Sequence, residues 1–123
     1  LFFAASSILA EITEGRYQKL SFNQEMEITV QGEDRMIPLE SLSMGTIEQV
    51  YLAVRIAVGR LLSEESMFFS FDEAFHMYDE KRYRAVLGYL AGQPEQSLIF
   101  SCDGRETEVL DSLGISYHKI TLA

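Results

Sequence analysis

The sequence predicts an α/β fold, a mainly parallel sheet with flanking helices and an antiparallel hairpin near the N-terminus. Three observations carry that prediction. Met67 to Phe71 form a nearly all-apolar run that ends in two adjacent carboxylates, Asp72 and Glu73. Such a run reads as a strand buried on both faces of a parallel sheet. From residue 67 onward, apolar runs and helical patterns alternate as strand, helix, strand, helix, strand, an order that requires right-handed crossovers between parallel strands. Residues 20 to 39 instead alternate about a turn, as a hairpin does, which argues against a flavodoxin-like or receiver-like domain.

The elements follow in order. Residues 1 to 14 form a helix with Ala5, Ile8, Leu9 and Ile12 on one face and Gly15 as its stop. Met26, Ile28 and Val30 alternate with Glu27 and Thr29 as a half-buried strand. Gln31 to Asp34 make a turn and Arg35 to Leu39 a return strand, with Pro38 marking its end or an edge. The clearest helix spans 46 to 62, where Ile47, Val50, Tyr51, Val54, Val58, Leu61 and Leu62 follow the 3.6-residue period. Asp79 caps a helix running to Leu90 and ended near Gly92 and Pro94. Ser97 to Ser101 is a short strand, Glu106 to Leu113 a helix stopped by Gly114, and Ile115 to Leu122 a last strand. Phe68, Phe69, Phe71 and Phe75 are most simply core, as is Cys102, which follows an apolar strand.

Composition limits the function. A chain of 123 residues fits one domain, and 47% hydrophobic residues suffice for a core. A formal net charge of −9 gives no electrostatic footprint for nucleic acid and argues against anionic membranes; DNA contacts would fall to other regions of a longer protein. One cysteine excludes an internal disulfide and a cysteine-based zinc site, and suits a reducing, cytoplasmic setting. The apolar opening, Leu1 to Ala10, lacks the basic residue that precedes a signal-peptide core. No stretch reaches the ~18 apolar residues of a membrane span. A start without methionine, inside a helical pattern, is expected of a piece of a longer protein.

Two segments carry chemistry. Ser43 and Gly45 stand at the mouth of the strongest helix, where free N–H groups and the positive dipole end attract an anion and a glycine lets it approach. Ser43 also reads as an ordinary N-cap. Asp72 and Glu73 leave a strand at the edge where α/β sheets bind ligands, although two solvated carboxylates at a strand end would look the same.

Order and spacing join these segments. Leu42-Ser43-Met44-Gly45-Thr46, then Gln49 and Tyr51-Leu52-Ala53-Val54-Arg55-Ile56-Ala57, resemble the signature motif and following helix of ABC-type ATPases. The likeness is greatest to the split heads of SMC-like and DNA-repair-type ATPases. Met67 to Glu73 resembles their Walker B strand, Ala74-Phe75-His76-Met77-Tyr78-Asp79 their D-loop, and Leu98 to Cys102 the strand before their switch histidine. The resemblance spans roughly residues 15 to 122, nearly the whole chain, and rests on the ordered set rather than any one motif.

The resemblance implies the C-terminal lobe of a P-loop ATPase head over residues 15–123, with residues 1–14 the stump of a coiled-coil arm. It implies that Ser43 and Gly45 contact the γ-phosphate of an ATP held by the opposite head of a homodimer. Asp72 would help hold Mg²⁺ through its water shell, Glu73 would polarise the attacking water, and Asp79 would reach the partner head. No Gly-x-x-x-x-Gly-Lys-Ser/Thr loop occurs in the sequence, so ATP should not bind tightly to this chain alone. The Walker A loop is expected in an N-terminal lobe of the same protein. Two positions depart from the family pattern. Thr46 stands where many transporters have Gln, and Asp103 stands where the switch histidine is usual. An ionised Asp103 repels a γ-phosphate rather than donating to it. The competing reading is therefore a degenerate head, a nucleotide-dependent interaction module without hydrolysis. His76 is expected as a loop residue and His118 as a surface residue.

Overall fold

In the computed structural model, residues 1–25, 27–63, 67–102 and 104–122 are described. The strand position expected of Met26 and the switch position Asp103 lie outside them.

Helix α1 (Phe2–Ile12) buries the predicted stripe of Ala5, Ile8, Leu9 and Ile12 against α2 and the first strand. It closes in a Schellman arrangement. Glu14 N–H donates to Glu11 O at 3.1 Å and Gly15 N–H to Ala10 O at 2.7 Å. The left-handed turn therefore begins one residue before the predicted stop, at Glu14 (φ 54°), and Gly15 continues it (φ 84°).

Three antiparallel strands follow where a two-stranded hairpin is expected: β1 (Lys19–Phe22), β2 (Ile28–Gln31) and β3 (Met36–Pro38), in that spatial order. Leu20 pairs with Val30, and Val30 with Ile37. Pro38 lies in the edge strand, where a missing donor costs no ladder bond. Strand β1 escapes the sequence pattern because Leu20 is its only buried residue. Tertiary contacts hold it: Leu20 N–H donates to Ser6 Oγ of α1 at 2.9 Å, and Phe22 meets Phe2 edge-to-face at 4.7 Å.

Helix α2 (Met44–Leu62) starts two residues earlier than predicted and buries Val50 of the expected stripe, but its inward face is shifted from that stripe. Thr46, Gln49, Ala53 and Ile56 point inward, while Tyr51, Leu61 and Leu62 of the expected stripe are exposed. Apolar residues run around this helix, so periodicity alone misplaces the face. A buried glutamine completes the disguise, because Gln49 Nε2 donates to Ile12 O at 3.0 Å.

The second half is a strand–helix–strand–helix unit: β4 (Phe68–Asp72), α3 (Glu80–Ala91), β5 (Gln96–Phe100) and α4 (Arg105–Leu113). Strands β4 and β5 are parallel, with Phe71 opposite Ile99 and Asp72 opposite Phe100. The predicted third parallel strand is absent, because residues 115–122 pair with neither strand and lie mostly exposed. Tyr117 Oη donates to Asp111 Oδ1 at 2.9 Å, turning that segment back toward α4 instead.

Strand β4 is buried on one face rather than both. Phe69 and Phe71 enter the core, but Phe68 is 61% exposed. In register on the same open face stand Leu98 and Phe100 of β5, 37% and 48% exposed. Cys102 is also exposed, since β5 has ended by then and the chain has left the sheet.

Candidate functional site

Ser43 takes the N-cap of α2 and accepts the Thr46 N–H at 3.3 Å. The ordinary capping reading is thus realised at this position. It does not use up what surrounds the cap. Thr46, only 1% exposed, places Oγ1 2.9 Å from Ser43 Oγ. Gly45 is buried, and a Cβ there would lie 2.9 Å from Arg82 Cδ and 3.3 Å from Met77 O. A side chain at Gly45 would have to displace the Arg82 side chain and press on Met77 O of the loop after β4.

Asp79 belongs to the same cluster. It caps α3, with Oδ1 accepting the Arg82 N–H at 2.8 Å. Its Oδ2 accepts from Arg82 Nη1 at 2.7 Å. The other arm of that guanidinium reaches α2, where Nη2 donates to Ser43 Oγ at 3.1 Å and Thr46 Oγ1 at 2.9 Å. Ser43, Gly45 and Asp79 are therefore brought together, and Arg82 is the residue that joins them. Sequence reasoning missed it. The available signal was the spacing Asp79-x-x-Arg82, which puts a cation one turn into a helix begun by a carboxylate.

Asp72 and Glu73 sit at the C-terminal edge of β4 as predicted, but they diverge for another reason than strand alternation. Glu73 N–H still donates to Phe100 O at 3.0 Å, extending the ladder. The backbone then enters the left-handed region at Glu73 (φ 52°), a conformation that costs a non-glycine residue roughly 1 kcal/mol. That turn folds the carboxylate back so that Oε1 accepts the Cys102 N–H at 2.8 Å. Asp72 stays in β conformation and is exposed.

The loop from Ala74 to Asp79 is anchored by aromatic packing. The Phe75 ring lies 4.9 Å from Phe71, 5.7 Å from Tyr78 and 5.6 Å from Tyr83, centroid to centroid. Burial, reinforced by the nearby Glu48 carboxylate, pushes the Tyr78 phenol above its ordinary pKa. His76, as expected of a loop residue, is exposed; its Nδ1–H donates to Glu73 O at 2.8 Å. Beside this loop opens a cleft of about 310 Å³, whose lining includes Asp72, Glu73, His76, Glu48, Tyr51 and Arg55. The signature-like face and the carboxylate end of β4 are thus two sides of one loop, with Met77 O against Gly45 and Glu73 at its root.

Among the described residues, no three His, Cys, Asp or Glu side chains converge as a protein-only metal cage. An exposed carboxylate such as Asp72 on a cleft wall suits Mg²⁺, which takes one or two protein carboxylates and fills its shell with water and phosphate oxygens. No helix among the described residues is long and apolar enough to cross a membrane.

No protein-family profile matches the chain. Over 104 residues it is 34% identical to the uncharacterized protein YhaN of Bacillus subtilis (strain 168), a match that takes in 80% of this chain and 11% of YhaN. The chain thus spans about a tenth of that relative's length. Its fold is shared with solved SMC heads. A structure from work on ATP-driven dimerisation and DNA-stimulated activation of SMC ATPases superposes with a TM-score of 0.65 at 17% identity, covering 88% of this chain and 73% of that one. The Smc head domain with an extended coiled coil, bound to the C-terminal domain of ScpA from Pyrococcus furiosus, gives 0.62 at 18% identity over 86% and 29% of the two chains. An Smc head bound to the C-winged-helix domain of ScpA gives 0.64 at 20% identity over 86% and 35%. The chain has the α/β fold of the C-terminal lobe of an SMC ATPase head, an antiparallel three-stranded sheet and a parallel strand pair with their helices.

Proposed function

We propose that this chain is the C-terminal half of an ATPase head that engages a second head when ATP is bound. The observation that carries the proposal is the joining of the Ser43–Gly45 helix mouth to the Asp72–Glu73 strand end through one packed loop. Such a loop lets a phosphate bound on one side be sensed on the other. The shared fold supports the same reading. So does the open face of β4 and β5, where Phe68, Leu98 and Phe100 fit an N-terminal lobe carrying the Walker A loop.

In this reading Ser43 and Gly45 meet the γ-phosphate of ATP held by the opposite head of a homodimer. Asp72 would help hold Mg²⁺, which would supply neutralisation of phosphate charge. Glu73 releases Cys102 N–H and orients the attacking water for phosphoryl transfer, and Asp79 faces the partner head. Helix α1 is the end of a coiled-coil arm. DNA contacts, in repair or chromosome maintenance, fall to other regions, since this chain is acidic. The setting is cytoplasmic.

Asp103 favours a second reading, a head that binds nucleotide without turning it over, because a carboxylate at the switch position repels the γ-phosphate. ATPase assays on the complete protein separate the two. Measurable turnover supports hydrolysis; turnover gained only on Asp103→His supports the degenerate head. Calorimetry on the isolated chain should give no Mg-ATP binding, and micromolar affinity would contradict the half-site reading.

A further inference from the structure

The Ser43 hydroxyl is fully engaged in this structure. Its oxygen accepts from Thr46 N–H at 3.3 Å and from Arg82 Nη2 at 3.1 Å. Those two bonds use both lone pairs, so its hydrogen is directed to Thr46 Oγ1, 2.9 Å away. While this network stands, the Ser43 hydroxyl has no free hydrogen for a phosphate oxygen, and the Arg82 guanidinium is bonded to its oxygen.

Arg82 occupies a place that electrostatics alone disfavours. Its guanidinium lies at the N-terminal end of α2, the positive end of the helix dipole. Asp79 holds it there, with Oδ2 on Nη1 at 2.7 Å and Oδ1 on the Arg82 backbone N–H at 2.8 Å. The ion pair also cancels the charge that would make Arg82 a ready ligand for an anion. A phosphate approaching Ser43 meets a neutral pair with a carboxylate in it. The absence of a Cβ at Gly45 admits this plug, since a side chain there would sit 2.9 Å from Arg82 Cδ.

We infer that Arg82 is a latch: pinned by Asp79, it sequesters the Ser43 hydroxyl and must leave before a polyphosphate oxyanion from an opposing head can dock. The inference rests on the signature role proposed for Ser43 and adds its regulation. It makes the signature contact conditional on the loop that carries Asp79, so that one head reports to the other whether its Asp79 is free. Arg82 is thus a positioning residue that acts through Ser43, and removing it should strengthen engagement, a gain that a merely structural role does not produce.

The test uses the complete protein in a Glu73→Gln background, where bound ATP persists. Head engagement is titrated with Mg-ATP and read by cross-linking between protomers, with thermal unfolding followed in parallel. Arg82→Ala should lower the half-maximal ATP concentration about tenfold, the scale of one lost charge-assisted hydrogen bond. Arg82→Lys should fall between, because one ammonium cannot span Asp79 and two hydroxyls. Tighter engagement despite a lower unfolding temperature supports the latch. An unchanged or raised ATP requirement in Arg82→Ala overturns the latch and leaves the ATPase-head reading standing. No ATP-driven engagement even with Arg82 intact removes that reading, and the latch with it.

Discussion

Glu73 Oε1 accepts the backbone N–H of Cys102 at 2.8 Å, across 29 positions of sequence. The carboxylate at the end of β4 is therefore fastened to the segment that leaves β5. In the role proposed for Glu73 the carboxylate is parked here, and its release would become part of turnover.

Replacement of Glu73 by Gln keeps an oxygen that can accept from Cys102 N–H but removes the charge. In the complete protein, Glu73→Gln should therefore retain ATP-driven head engagement while turnover drops about 100-fold or more, the scale of a lost general base. Glu73→Ala should lose the same turnover and also about 1 kcal/mol of stability, since the exposed bond it breaks is weak. Phosphate-release assays and urea unfolding read the two effects. Unchanged turnover in Glu73→Gln removes Glu73 from its proposed role.

Gln49 is 2% exposed and donates to the Ile12 carbonyl at 3.0 Å. That carbonyl lies in the last turn of α1, where no helical partner is left for it. Gln49→Leu strands it in the core and should destabilise the chain by about 1–3 kcal/mol. Chemical denaturation measures this directly. A wild-type midpoint would mean that the carbonyl finds another donor.

The Arg60–Glu95 pair gives stability a pH dependence. Arg60 donates to both Glu95 oxygens, at 2.6 and 2.9 Å, and that bond holds the Glu95 carboxyl below its ordinary pKa of 4.5. A carboxylate lowered in the folded state stabilises above the unfolded pKa and loses that contribution as pH falls through the folded one. Glu95→Gln should cost about 1 kcal/mol at neutral pH, a modest figure because the Arg60 side chain is 33% exposed. The gap in urea midpoint between variant and wild type should close as pH falls below 4.5. A gap that persists in acid assigns the effect to packing.

Much of the fold was legible because its signals are local. The stripe of α1, the Asp79 cap, Gly114 and the two parallel strands each rest on residues a few positions apart. What was not legible depends on partners far away in sequence. Strand β1 exists because β2 and α1 hold it, and the inward face of α2 is fixed by what Gln49 reaches rather than by its own period. The candidate site divides along the same line. Ser43 and Gly45 stand at a helix mouth, Asp72 and Glu73 at a strand end and Asp79 at a helix cap, as their local patterns predict. The side chain that binds two of them together, Arg82, contacts Ser43 across 39 positions and has no motif to mark it.

The open face of β4 and β5 has a consequence for handling the molecule. Phe68, Leu98 and Phe100 share one face of a two-stranded sheet with Ser70, Asp72 and Gln96, each strand with one unpaired edge among the described residues. Apolar faces and bare strand edges are what recruit further strands during aggregation. Made alone, this lobe is its own nearest source of cover, and its self-association should rise with concentration. In the head proposed above, an N-terminal lobe on the same polypeptide would be synthesised together with the face that it shields.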